Sequence, residues 1–325
     1  MKLSRRKVMN LVAGGASLSA FSQVAWSQTY PARPVRMVVG FPPGGRDDLI
    51  ARLIGQWLSE QFGQPFVIEN RPGATGNLAV EAVSRAAPDG HTLLLLSTSV
   101  AVNMTLSEKL DDNPIRDIAP VGGIIRVPSV MVVRPSFPAK TIPEFIAYAK
   151  ANPGRINMAS VGIGSVPHIS GELFNMMAGI KMVHVPYRGA ALAQTDLIGG
   201  HVQVMFVAIS AAIDYIRNGQ LRPLSVTAAK RLEALPNIPT VGEFLPGYEA
   251  SVVNGIGAPK DTPAGIVNKI NNEINAGLAD PKLKARISEL GGAVFVGSPS
   301  DFGKLIADET EKWAKVTRAA NIKPE

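Results

Sequence analysis

The stretch Val35–Ile54, VRMVVGFPPGGRDDLIARLI, joins a run of strand formers to an amphipathic segment through two prolines and two glycines. Val35–Phe41 reads as a strand. Asp48–Phe62 reads as a helix, because Ile50, Leu53, Ile54, Trp57 and Leu58 fall on one stripe at helical spacing. The alternation continues downstream. Phe66–Glu69 predicts a second strand, Leu78–Ala86 a second helix, and Thr92–Leu96 a third strand, nearly all leucine as a strand covered on both faces would be. Strands and helices in this order imply a parallel sheet with helices on both sides.

The pattern then restarts. Ser129–Val133 predicts a strand ending at Arg134-Pro135, and Ile142–Ala151 a helix stopped by Asn152-Pro153-Gly154. Strands follow at Ile156–Ser160, Met182–Val185, Val202–Phe206 and Leu221–Thr227, separated by helices at Pro167–Ala178, Ala190–Ile198 and Ala211–Asn218. After a Pro- and Gly-rich stretch come strand Ser251–Ala258, helices Pro263–Leu278 and Pro281–Leu290, a strand near Ala293–Val296, and a helix from Ser298 towards Ala320. The reading is an α/β protein of two units, each a mainly parallel sheet flanked by helices. The Pro-bearing stretches 134–143 and 246–263 mark two crossings between them, and the expected domains are 28–129 plus 252–325 and 130–251. Two crossings make a hinge, and the cleft between such units is a natural ligand site.

The 325 residues are 46% hydrophobic and 18% charged, with 31 Gly and 25 Pro, which excludes disordered and collagen-like chains. No cysteine occurs, so disulfides, thiolate metal sites and cysteine nucleophiles are excluded. The formal charge of +7 falls to +3 once Lys2, Arg5, Arg6 and Lys7 are set aside, leaving 29 basic against 26 acidic residues. The remaining basic residues are scattered, so no nucleic-acid partner is expected.

Residues 1–27 have the order of an export signal. Ser4-Arg5-Arg6-Lys7 precedes an apolar run from Val8 to Phe21, and Ala25 and Ser27 supply small side chains for a cut after Ser27. Cleavage, rather than retention as an anchor, is the reading, with the periplasm as destination. The arginine pair leaves the Sec and twin-arginine routes both open.

Four strand-to-helix turns concentrate hydrogen-bond donors. Phe41-Pro42-Pro43-Gly44-Gly45-Arg46-Asp47-Asp48 is either an anion cradle at a helix start or a plain turn capped by Asp47 or Asp48. Glu69–Asn77, with Gly73, Ala74, Thr75 and Gly76, again puts glycine and hydroxyl before a helix. Ser97-Thr98-Ser99 ends the leucine-rich strand, and capping is the commoner use of such hydroxyls. Ser160–His168 carries Gly162, Gly164 and Ser165, with Tyr187-Arg188-Gly189-Ala190 as a companion. Arg188 is either a bidentate partner for a carboxylate or a solvated surface group. Donors without a catalytic base suit binding an anion better than transforming one.

Dinucleotide, Walker, nucleophile-elbow and zincin motifs are absent, so no catalytic residue, metal or cofactor is expected. A Ser165–His168 dyad is the remaining enzymatic alternative, an exported hydrolase. Of the tryptophans, Trp26 leaves with the leader, Trp57 joins the helix stripe and Trp313 lies near the C-terminus. None is left for a cage around a quaternary ammonium.

Tyr30-Pro31-Ala32-Arg33-Pro34-Val35-Arg36 and Phe41-Pro42-Pro43-Gly44-Gly45-x-x-Asp48-x-x-Ala51-Arg52 resemble the opening signature of the Bug receptors, periplasmic solute-binding proteins of tripartite tricarboxylate transporters. Glu69–Asn77, Ala87–Leu93, Val185–Gly189, Ala234–Thr240 and Ala258–Pro263 resemble further family segments. The resemblance implies a two-domain Venus-flytrap receptor of periplasmic-binding-protein type; a monomer is the expected state. It would hold a small mono-, di- or tricarboxylate by backbone amides and water and deliver it to a membrane permease of the tripartite type. The implied contacts are Pro43, Gly44, Gly45, Asp48, Gly73, Ala74, Thr75, Ser97 and Thr98 in the first domain. In the second they are Gly164, Ser165, His168, Tyr187, Arg188, Gly189 and Ala190. Three departures from the family pattern stand out: Arg46-Asp47 in place of Gly and Thr, Val207 where an acid is common, and Val253-Asn254-Gly255 in place of an aromatic-bearing segment.

Overall fold

The computed structural model describes residues 30–73, 76–100 and 114–322. The expected leader and the loop residues Ala74 and Thr75 lie outside these. In chain order, β1 (Val35–Val39), α1 (Arg46–Phe62), β2 (Phe66–Asn70), α2 (Asn77–Ser84) and β3 (Thr92–Ser97) follow the predicted series. Helix α1 starts behind Gly45, two residues earlier than its apolar stripe predicts, and stops at Gly63, whose φ of 66° no β-carbon opposes. β1 pairs in parallel with both β2 and β3, Val39 lying opposite Asn70 and Leu95.

The next strand departs from expectation. β4 (Ile118–Val133) is 16 residues long, beginning well before Ser129. Pro120, Gly122, Gly123 and Pro128 read as loop punctuation, yet the register shifts on either side of Gly122-Gly123 absorb them into the ladder. The two glycines are needed there. A β-carbon on Gly122 would stand 2.7 Å from the Asn271 carboxamide, and one on Gly123 would collide with the Phe295 ring.

The remaining elements keep the predicted order: α3 (Ile142–Ala151), β5 (Asn157–Ser160), α4 (Val166–Ala178), β6 (Val183–Pro186), α5 (Ala190–Gly199), β7 (Val204–Ala208), α6 (Ile209–Arg217), β8 (Arg222–Val226), β9 (Ser251–Pro259), α7 (Ala264–Ala279), α8 (Pro281–Ser288), β10 (Ala293–Val294) and α9 (Pro299–Ala319). The sheet runs β2-β1-β3-β9-β4-β7-β5-β6, with β8 and β10 also paired to β4. This is the expected α/β class. Its outer ladders are parallel, whereas the ladders of β4 and β9 in the middle are antiparallel.

Alternation along the end of β4 divides the second half of the molecule. Met131 and Val133 join Phe145, Phe174 and Phe206 in one apolar cluster, while Val130 and Val132 join Leu197, Met205 and Val207 in another. A separate cluster holds Val38, Leu94 and Leu96 against Ala79, Val80 and Val83 of α2. Helix α9 ties these regions together. Its Phe302 sits in the α2 cluster, and its Trp313 and Val316 sit with Phe174. The fully buried Trp313 donates its indole N–H to Glu309 Oε2 at 2.7 Å, so its polar edge is satisfied. Among the described residues no helix is long and apolar enough to cross a membrane.

Candidate functional site

Registers place the candidate loops. Ser97 at the end of β3 lies opposite Asn254 of β9, which lies opposite Ile125 of β4. Ala208 at the end of β7 lies opposite Ser129 of β4. β3 and β7 run in opposite senses along β4 and stop four residues apart, about 13 Å at strand spacing. β1 and β2 are parallel to β3, and β5 and β6 are connected in parallel to β7. The carboxyl ends of both parallel groups therefore meet head to head over β4. Carboxyl ends are where open α/β sheets bind ligands.

On the first rim, Pro43, Gly44 and Gly45 are exposed and lead into α1, whose first turn has no side-chain cap. Orphan N–H groups at such a start favour an anion. Asp48 is buried and faces inward: Oδ2 accepts from Gly44 N and Arg52 Nε, both at 2.9 Å, and Oδ1 accepts from Asn70 Nδ2 at 3.0 Å. Burial pushes its carboxyl up, but the hydrogen bonds from Arg52, Gly44 and Asn70 and the charge of Arg52 outweigh it and hold it below the ordinary value. Asn70 Nδ2 also donates to Phe41 O at 3.0 Å, binding the first loop to the second. Asn70 was not among the sequence-derived site residues, and only this bridging geometry marks it. Further along, Gly40 and Gly76 approach so closely that a β-carbon on Gly40 would stand 2.7 Å from Gly76 Cα. Gly73, at φ 140°, lies on that second loop. Thr98 is fully buried and its Oγ1 accepts from Val253 N at 3.0 Å, while Ser97 Oγ accepts from Ser99 N at 3.2 Å. Both hydroxyls thus fasten β3 to its surroundings.

On the second rim, Ser165 caps α4, accepting from His168 N at 3.4 Å and donating to Gly162 O at 2.7 Å. His168 Nδ1 accepts from Gly164 N at 3.1 Å, so the imidazole props the loop from beneath. Its ring stacks on His184, whose Nε2 lies 2.7 Å from Ser160 Oγ. Tyr187 OH donates to Asp196 Oδ2 at 2.7 Å; burial and then that carboxylate push the phenol up to about 12, so it stays a donor. Arg188 is exposed beside it, and Gly189, at φ 117°, opens α5 without a side-chain cap before Ala190. The Ser165 hydroxyl is directed at a carbonyl rather than at the imidazole, which removes the nucleophile–base geometry that a hydrolase needs. The charge pair expected beside the first loop is present, with Arg46 3.3 Å from Asp47. Val207, where an acid is common in the family, is buried in the apolar cluster of α5. The arrangement offers helix starts without a side-chain cap behind Gly45 and Gly189 and an exposed guanidinium at Arg188.

The family described as "Tripartite tricarboxylate transporter family receptor" matches residues 50–322. Protein BugT of Bordetella pertussis is 35% identical over 300 residues, covering 91% of this chain and 92% of its own. Among solved structures, R. palustris Rpa4515 with adipate is 36% identical with a TM-score of 0.76, covering 91% of this chain and 100% of its own. MatC (Rpa3494) from Rhodopseudomonas palustris with bound malate is 33% identical with a TM-score of 0.71, covering 88% and 99%. The fold is accordingly that of periplasmic binding proteins of this type, and the relatives are receptors rather than enzymes. Motifs, topology and relatives agree along nearly the whole length, and the chain belongs to the tripartite tricarboxylate transporter family of solute-binding receptors.

Proposed function

We propose that this receptor is exported to the periplasm, closes on a small carboxylate between two lobes, and hands it unchanged to a membrane permease of the tripartite type. The lobes are residues 28–129 plus 252–325 and residues 130–251, and β4, β9 and α9 connect them. One copy of the chain supplies both rims, so a monomer suffices for binding. The observation that carries the proposal is the head-to-head meeting of the two carboxyl edges over β4, each bearing a helix that starts behind an uncapped glycine. Adipate in one relative and malate in another support a carboxylate as the solute. Ligand contacts are assigned to Pro43, Gly44, Gly45, Gly73, Ala74 and Thr75 on one side and Ser165, Tyr187, Arg188, Gly189 and Ala190 on the other. Asp48, Ser97, Thr98, Gly164 and His168 hold those loops in place.

A thermal-shift screen of the mature protein against mono-, di- and tricarboxylates tests this. Ligand at about 100 times its dissociation constant adds about 2.7 kcal/mol of stability. A rise with carboxylates, the compound being recovered intact, is expected. No response to any carboxylate, with a rise for sugars or amines, refutes the ligand class.

A further inference from the structure

Asn254 is fully buried, and among the described residues neither its Oδ1 nor its Nδ2 has a hydrogen-bond partner. Buried carboxamides are normally satisfied, and an orphaned one marks either strain or a partner supplied by a water, an ion or a ligand group. Its place in the sheet favours the second. Gly55 of α1 closes on Phe66 and Ile68 of β2, so α1 covers the face that carries those residues. Ile68 is level with Met37, Met37 with Leu93, Leu95 with Ile256, and Ser97 with Asn254. With a side-chain period of two, Asn254 shares that face. It stands at the carboxyl edge, on the side of the sheet where α1 begins without a cap.

The chemistry of the orphan limits what can satisfy it. A carboxylate offers acceptors only; it would take the Nδ2 hydrogens and repel Oδ1. An ammonium offers donors only and meets the opposite conflict. A hydroxyl does both, donating to Oδ1 while accepting from Nδ2. We infer that Asn254 is a ligand-contacting residue that selects carboxylates bearing a hydroxyl over their unsubstituted counterparts. This rests on the carboxylate-receptor reading and sharpens it.

Calorimetric titration with matched pairs tests the inference: lactate against propanoate, malate against succinate, citrate against tricarballylate, with aspartate as the ammonium counterpart of malate. The hydroxylated member of at least one pair should bind about tenfold or more tightly than its partner and, for malate, than aspartate. Asn254→Leu should bring that ratio to near one and leave affinity for the unhydroxylated member in place. A hydroxyl preference that survives the substitution, or no preference in the native chain while carboxylates do bind, overturns this inference alone. Failure of every pair to bind, while another carboxylate of the thermal-shift screen does bind, also overturns this inference alone; failure of every carboxylate in that screen overturns the receptor reading as well. The ligand-free proteins give a second readout. Relief of an orphaned amide should leave the melting midpoint of the more stable of Asn254→Leu and Asn254→Ala equal to or above the native one, by about 2 °C. A lower midpoint for both variants means that the carboxamide holds the fold together, and rejects the inference.

Discussion

The imidazole rings of His168 and His184 lie face to face, 3.5 Å between centroids and 11° from parallel. Burial, then the neighbouring imidazole charge, holds His168 at about 3, and burial holds His184 at about 4. Unfolded, both titrate near 6.5. Between those values the unfolded chain binds more protons, so stability falls as pH drops from about 6.5 towards about 4. Glu172, 3.8 Å from His168 Nε2, is raised by burial and works in the opposite sense above its ordinary value. The melting midpoint should therefore be lower at about pH 5 than at about pH 7.5. His184→Phe, which keeps a flat ring against His168 without a titrating nitrogen, should show a smaller drop. An equal drop in both proteins refutes this account.

Asp48 holds three partners with two oxygens at a buried position. Asp48→Ala leaves the Asn70 carboxamide and Gly44 N–H without that acceptor, and should cost about 2–4 kcal/mol in urea unfolding. Carboxylate binding should weaken with it, because the first and second loops lose their tie. Asn70→Ala should weaken binding in the same way at a smaller cost in stability. Unchanged affinity in both variants would show that the tie does not shape the rim.

Much of this was legible in the sequence, and the exceptions have physical causes. The β1–α1–β2–α2–β3 series could be read because apolar spacing and glycine stops agree there. β4 could not, because Pro120, Gly122, Gly123 and Pro128 carry loop chemistry and only Asn271 and Phe295, distant in sequence, explain why small residues are required. Helix α6 begins two residues early because Ile209 follows β7 with no turn residue between them. Composition singled out the glycine and hydroxyl loops that the registers place at the strands' carboxyl ends. It could not show the bridging role of Asn70 or the orphaned state of Asn254, since both depend on what another strand brings opposite.

Gly40→Ala tests the closest backbone approach on the first rim. The added methyl would stand 2.7 Å from Gly76 Cα and 3.1 Å from Gly76 O, and neither backbone atom can swing away as a side chain could. The second loop must move, at a cost of about 1–3 kcal/mol. Urea unfolding should register that loss, and carboxylate-induced thermal shifts should shrink or vanish. A native midpoint with native binding would contradict the structure of this turn.

Ser165→Ala removes the cap of α4 and the anchor on Gly162 O together. The cap alone is worth about 1 kcal/mol. Binding should weaken while the protein stays folded, and Ser165→Thr should restore most of the stability. Full affinity in Ser165→Ala would remove this loop from the ligand's surroundings.

One strand, β4, is a rung-bearing partner for β9 and β10 over its first part and for β7 and β8 over its last. Heat cannot strip one region of the sheet without baring hydrogen-bonding groups of the other, and α9 lies across both. Scanning calorimetry should accordingly record a single endotherm whose van't Hoff and calorimetric enthalpies agree, because the two ends of the ladder share one strand and come undone together.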